Sequence, residues 1–125
     1  YVYELTYRDN LNYLREHNYS ACFYGHSHVQ FIYRLLLKND TDDDIDEKIH
    51  ASPIRLFQPR EILLLNPGSV GQPRDRDPRA GFALWDHETD LVTFHRIAYP
   101  IHVTTEAILR AGLPEDIAFR LEMGW

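Results

Sequence analysis

The sequence predicts a mixed fold, α+β or α/β, in which helices at the two ends of the chain cover a mostly β middle. Apolar residues recur at helical spacing near the start of the chain. Short runs rich in β-branched and aromatic residues follow one another through the middle. Two stretches bounded by Pro and Gly then read as helices near the end. This order places helices outside a sheet core.

Three helices are predicted from periodicity and from residues that start or stop a helix. The first covers residues 6–17, where Thr6 and Asp9 have the spacing of a capping box. The second covers residues 104–112, with Thr104 as its N-cap and a glycine at its end. The third covers residues 114–124, because a proline followed by two acidic residues suits a helix N-terminus.

Strands are predicted where short apolar runs are bounded by turn-forming residues. The last two form a hairpin across residues 86–90, and the strand at 54–57 is expected to return alongside the strand at 29–37. The acidic stretch 40–47 would then be the loop that connects those two strands. The predicted strands cover residues 19–24, 29–37, 54–57, 61–65, 81–85 and 91–99.

Charge and composition exclude some classes of function. The net charge is −6, but six of the 19 acidic residues lie in the stretch 40–47, which leaves 13 acids against 13 bases elsewhere. A chain without an overall basic balance lacks the electrostatic footprint of a nucleic-acid-binding protein. No apolar run approaches the roughly 20 residues that a membrane span needs. The single Cys22 cannot form an internal disulfide, which fits a cytoplasmic location.

The motif Gly25-His26-Ser27-His28 carries the clearest chemistry. His26 and His28 are two apart, so on an extended segment their rings would point the same way, and Gly25 would let the backbone crowd an ion. Neutral imidazoles suit zinc, manganese or iron. From the residues alone, two loop histidines with no metal role explain the pattern equally well.

Three stretches together resemble the calcineurin-like metallophosphoesterases, and in particular their small bacterial and archaeal phosphodiesterase branch. They are residues 24–29, which contain the family's last Gly-His-Ser/Thr-His signature, residues 65–75, and residues 111–115 leading to Arg120 and Leu121. The resemblance implies a four-layer α/β/β/α sandwich. This chain would form its C-terminal half, with one N-terminal helix, mostly strands, and two C-terminal helices.

The resemblance also implies a site and an activity. His28 would ligate the first and His26 the second of two divalent metal ions, with manganese favoured and iron, zinc or nickel as alternatives. The expected reaction is hydrolysis of phosphate esters, phosphodiesters above all, in a phosphorylated small molecule or nucleotide-like substrate. No catalytic acid or base is identified in this chain.

The remaining ligand motifs of the family are Asp-x-His, Gly-Asp, Gly-Asn-His and one further histidine, and they precede the signature that stands here at His26. None of the three motifs occurs in these residues. Residues 1–125 are therefore expected to be the C-terminal part of one domain, inactive alone and able to self-associate through the face that the missing part would cover. A non-catalytic scaffold or protein-interaction module is the alternative.

The loop after residue 66 offers candidate substrate contacts. Ser69 and Arg74 could meet a phosphate, as could Arg76 or Arg79. The competing interpretation is structural. A turn at residues 66–69 would join two strands, and the alternating Arg and Asp residues beyond it would form a solvated ion-pair network.

Overall fold

The computed structural model describes residues 2–3, 5–38 and 45–125, and the side chains of all these residues except 45–47. It confirms the mixed α/β class, with two sheets and three helices in the described residues. In chain order the elements are α1 (Tyr7–Glu16), β1 (Ala21–Phe23), β2 (Phe31–Leu36), β3 (Ile45–Ile49), β4 (Ile54–Arg55), β5 (Glu61–Asn66), β6 (Ala80–Asp86), β7 (Leu91–Ile97), α2 (Ile101–Arg110) and α3 (Glu115–Met123).

The first sheet has the strand order β1-β5-β2-β3, and the second has the order β4-β7-β6. Strands β1 and β5 are parallel, whereas β2 is antiparallel to β5. The carboxyl ends of β1 and β5 and the start of β2 therefore meet at one edge of the first sheet. The loop 24–30 and the loop 67–79 both leave the sheet there. We call this side of the molecule the histidine edge.

Two apolar clusters hold the layers together, one on each face of the first sheet. Strand β5 contributes to both, because its side chains alternate between α1 and the second sheet. The cluster under α1 contains Leu11, Leu14, Phe31, Tyr33, Leu35, Ile62 and Leu64. The cluster between the sheets contains Ile32, Ile54, Leu56, Leu63, Leu65 and Val92.

The hairpin of β6 and β7 confirms the predicted pairing across residues 86–90. The predicted return strand is wrong, because β2 pairs with Ile45–Ile49 and Ile54–Arg55 joins β7 in the second sheet. Charged residues are compatible with β3 because an edge strand buries little of its surface. Ile54 is instead buried against Val92 in the second sheet. Of the predicted acidic loop 40–47, residues 40–44 lie outside the described residues, and residues 45–47 belong to β3 and not to a loop.

The helices begin and end close to their predicted bounds, but two predicted caps are wrong. Thr6 occupies the N-cap of α1 without a side-chain cap, and its Oγ1 accepts the backbone N–H of Tyr3 at 2.9 Å. Helix α2 begins directly after Pro100, so Thr104 lies inside it. Pro100 is the N-cap residue, and its ψ of 77° is not helical, so the first helical residue is Ile101. Helix α3 closes as predicted on Gly124, whose φ of 68° is left-handed.

Helices α2 and α3 pack on each other, with Thr105, Ala118 and Leu121 as their buried residues. Within residues 2–3, 5–38 and 45–125, no helix combines the length and the apolar character that crossing a membrane requires.

Candidate metal and phosphate site

The histidine loop, residues 24–30, has a strained backbone at both histidines. His26 has a φ of 75° and His28 a φ of 60°, so the expected extended segment is wrong. A residue with a Cβ pays roughly 1–3 kcal/mol for such a conformation, which persists only where the surroundings enforce it. Such residues are concentrated at functional sites. Tertiary contacts, not strand alternation, therefore orient the two rings.

The ring of His28 is oriented by the loop 67–79. Its Nδ1 lies 2.7 Å from the backbone oxygen of Gln72, and its own backbone oxygen accepts the N–H of Arg74 at 3.0 Å. A carbonyl oxygen only accepts, so Nδ1 carries the proton and Nε2 of the neutral ring keeps its lone pair. Metal-binding histidines typically have their second ring nitrogen bonded in this way.

The rest of the histidine loop is tied to the end of β5. The ring of His26 meets that of Tyr3 edge-on, with centroids 5.8 Å apart. Asn66, which is fully buried, donates through Nδ2 to Ser27 Oγ at 2.7 Å. The side-chain oxygen of Asn66 accepts the N–H of Gly68 at 2.9 Å. One amide thus connects the histidine loop to the following turn.

A polar network behind this loop is built from Gln30, Asp75 and Arg96. The Nε of Arg96 donates to Gln30 Oε1 at 3.0 Å, and a second guanidinium nitrogen forms an ion pair with Asp75. The backbone N–H of Gln30 donates to the same Asp75 carboxylate at 3.0 Å. The side-chain Nε2 of Gln30 donates to the backbone oxygens of Pro67 and His95, at 2.9 and 3.1 Å. The network joins the loop 67–79 to the start of β2 and to β7.

The two predicted substrate contacts differ in their surroundings. Ser69 Oγ accepts the N–H groups of Gly71 and Gln72, at 3.2 and 2.9 Å, so it stabilises the turn as the structural interpretation predicted. Arg74 is exposed, and its guanidinium donates to Gln72 Oε1 at 3.2 Å. Contact of either side chain with a phosphate stays a prediction.

The predicted ion-pair network is present at Asp77 and Arg79. Arg79 donates to both carboxylate oxygens, with Nε 2.9 Å from Oδ1 and Nη2 2.6 Å from Oδ2. These hydrogen bonds lower the pKa of Asp77 to about 2. Away from this loop, burial raises the pKa of the half-buried Cys22 thiol, as expected for an unreactive cysteine.

Comparison with known proteins decides the family. Residues 2–90 match the family model of the calcineurin-like phosphoesterase superfamily domain, which is more than half of the chain. The chain belongs to this superfamily. It is 33% identical over 102 residues to an uncharacterized protein of Methanocaldococcus jannaschii, and the match covers 82% of this chain and 38% of that protein.

The fold matches that of a solved member of the superfamily. The crystal structure of a metallophosphoesterase from Sphaerobacter thermophilus is 34% identical and superposes with a TM-score of 0.68. The match covers 86% of this chain and 43% of that structure. The chain therefore spans less than half the length of either relative.

Members of the phosphoesterase superfamily generally bind divalent metal ions. The donor set of this chain fits part of such a site. His28 offers an oriented imidazole, and His26 lies two residues away on the same loop. In the part of the chain that the structure describes, no three His, Cys, Asp or Glu side chains are grouped to hold an ion.

Sequence reasoning missed the residues that support the histidine loop, namely Gln30, Gln72 and Arg96, and it assigned Asn66 only to a turn. One signal was present for Gln30, which is a polar residue between the motif and an apolar strand. The position of Arg96 within a predicted strand was a weaker signal for the network. Strands commonly carry charged residues on an exposed face, so an arginine there does not by itself indicate a buried ion pair.

Proposed function

We propose that His26 and His28 are ligands of a dinuclear divalent-metal site that hydrolyses phosphate esters, phosphodiesters in particular. The observation that carries this proposal is the hydrogen bond from His28 Nδ1 to the Gln72 backbone oxygen, 2.7 Å long. It fixes the tautomer that leaves Nε2 available to a metal. Membership of the phosphoesterase superfamily supports the same chemistry.

Residues 1–125 would be the C-terminal part of a single phosphoesterase domain, and the other metal ligands would lie outside them. The match to only 38% and 43% of the two relatives supports this division. A pair of imidazoles also falls short of the several oxygen ligands that hydrolytic metal pairs use. We therefore expect no hydrolysis by this chain alone.

Each part of the chain would have a defined task in this site. Bound metal ions supply Lewis-acid activation and neutralise charge that develops on the phosphoryl group. His28 would present Nε2 while Gln72 holds its Nδ1 proton, and the network around Arg96 would keep the loop 67–79 in place. Manganese is the favoured ion, with iron, zinc or nickel as alternatives, since imidazole accommodates all of them.

The substrate would be a phosphorylated small molecule or nucleotide, and the location would be the cytoplasm. The family supports a phosphorylated substrate. The lone Cys22, which cannot form an internal disulfide, fits a reducing compartment.

Paramagnetic broadening by Mn²⁺ tests the ligand assignment in this chain. The protein has seven histidines, and the ring signals of His26 and His28 should broaden at the lowest Mn²⁺ concentrations. Replacing both ligands, His26→Ala with His28→Ala, should abolish the broadening of the Ser27 amide between them, whereas replacing the exposed His102 on α2 should not. Uniform broadening of all histidines, or broadening at Ser27 that survives the double substitution, contradicts the proposal.

A further inference from the structure

The end of α3 lies directly on the loop 67–79. The backbone oxygen of Gly124 accepts the N–H of Arg76 at 2.9 Å. A Cβ placed on Gly124 would lie 2.8 Å from the backbone nitrogen of Asp77, which is shorter than a van der Waals contact. This contact brings Trp125 beside the loop. Trp125, Arg74 and Arg76 line an open depression of about 320 Å³, which we call the arginine–tryptophan surface.

In the part of the chain that the structure describes, no carboxylate pairs with the two arginines of this surface. Asp75 pairs with Arg96, and Asp77 pairs with Arg79. Among the described residues, neither Arg74 nor Arg76 has a carboxylate partner, and the guanidinium of Arg74 reaches only the neutral side chain of Gln72. Although Arg and Asp alternate along the loop, Arg74 and Arg76 therefore remain without a carboxylate partner among the described residues.

Arg76 holds a backbone conformation that favours glycine. Its φ of 66° lies in the left-handed region, where glycine is free of strain and other residues are not. The turn itself would accept glycine. An arginine at this position places a guanidinium on the surface at a cost in backbone strain.

We propose that the arginine–tryptophan surface binds a mononucleotide, with its phosphate on Arg74 and Arg76 and its base on the indole of Trp125. Guanidinium groups match phosphate with planar, paired hydrogen bonds. An indole stacks on a base regardless of its identity. The surface adjoins the histidine loop through the bond from Arg74 N–H to the His28 oxygen, 3.0 Å long. The inference rests on the proposed phosphoesterase function, whose substrate it specifies.

Tryptophan fluorescence measures this binding directly. The protein has two tryptophans, so Trp85→Phe leaves Trp125 as the only one. Adenosine 5′-monophosphate added in the presence of EDTA should quench its emission to saturation. Adenosine lacks the phosphate, and pyrophosphate lacks the ring. The affinity of each should be lower than that of the nucleotide by a factor of about ten or more, because each loses one set of contacts.

Substitutions assign the contacts, with calorimetry as the readout in every variant. Arg74→Gln, Arg76→Gly and Trp125→Leu should each weaken binding of the mononucleotide about tenfold. Arg76→Gly should keep the thermal unfolding midpoint, since relief of strain offsets the added flexibility of glycine. Arg55→Gln is the matched control and should bind as the wild type does, because Arg55 is an exposed arginine on β4 whose guanidinium donates to the neutral backbone oxygen of Thr89.

Unchanged affinity in Arg76→Gly or Trp125→Leu overturns the inference, and so does pyrophosphate binding as tight as that of the nucleotide. Because EDTA removes metal ions, the outcome does not depend on the metal site. Nucleotide binding without Mn²⁺ broadening at His26 and His28 removes only the metal proposal. Broadening without nucleotide binding removes only this inference.

Discussion

Strand β5 and the loop that follows it are held by different forces, although they are continuous in the chain. Leu63, Leu64 and Leu65 are buried on both faces of the first sheet by apolar neighbours. From Asn66 onward, hydrogen bonds and one partly buried ion pair position the chain. Apolar packing is non-directional and relaxes partly around a defect, whereas a polar network depends on every member. Substitutions in β5 should therefore mainly lower the free energy of unfolding, whereas substitutions in the polar network should also disturb the geometry of the histidine edge.

The largest effect should come from Leu65→Ala, because Leu65 is fully buried between the sheets. We expect a loss of about 2–5 kcal/mol in the free energy of unfolding, measured with urea, from lost burial and the cavity left behind. The His28 ring signals should not move in the folded fraction. Leu84→Ala makes the same change at an exposed strand position and should cost less than about 0.5 kcal/mol. Equal losses in the two variants would refute this account of the core.

Arg96→Met should cost less stability but disturb the histidine edge. Removing one partner of a buried ion pair costs about 3–5 kcal/mol, and we expect about 2–3 kcal/mol here because Arg96 and Asp75 keep some solvent contact. The loop 67–79 should loosen, so His28 should lose its fixed tautomer. Nitrogen-15 NMR of the imidazole ring measures that change.

Arg79→Met is the matched control for this prediction. Arg79 forms an exposed pair with Asp77 on the same loop, and exposed pairs contribute little. Its removal should leave the tautomer of His28 unchanged. If both arginine variants leave it unchanged, the network around Arg96 does not position His28.

Gly124→Ala tests the contact between α3 and the loop. Gly124 and Gly112 both have left-handed φ, 68° and 70°, but only Gly124 has neighbours within 4 Å of an added Cβ. Gly112→Ala should cost about 1 kcal/mol from backbone strain, and Gly124→Ala about 2 kcal/mol. Amide exchange at Arg76 should accelerate only in the Gly124 variant, because its hydrogen bond to residue 124 is weakened. Equal cost at both positions would mean that the helix end moves without penalty.

The smallest effect should appear in acid. The pKa of Asp77 falls from 3.8 to about 2, chiefly through hydrogen bonds from Arg79. A carboxylate with a lowered pKa contributes stability that is present above its unfolded pKa and lost as the pH falls through the folded one. The unfolding midpoints of wild type and Asp77→Asn should therefore differ at neutral pH and converge near pH 2. If the difference between the two unfolding midpoints stays constant with pH, packing and not the charge of Asp77 provides the stabilisation.

The fold was predictable where local patterns matched the forces that act. The helix at Tyr7–Glu16, the strand at Glu61–Asn66 and the hairpin from Ala80 to Ile97 all follow from apolar periodicity and turn residues. The partner of β2 was not predictable in this way. The acidic residues of Ile45–Ile49 resemble a loop in sequence, and only its edge position permits them in a strand.

The amino-acid sequence by itself determined the family, the pair of candidate ligands His26 and His28, and most of the elements, because these depend on short-range patterns. Only the tertiary structure decided which nitrogen of His28 carries the proton, and which carboxylates neutralise which arginines. Those properties depend on contacts between residues far apart in the chain, such as Gln30 with Arg96 and His28 with Gln72. Such contacts exist only once β1, β5 and β7 have brought their ends together, so no local pattern encodes them.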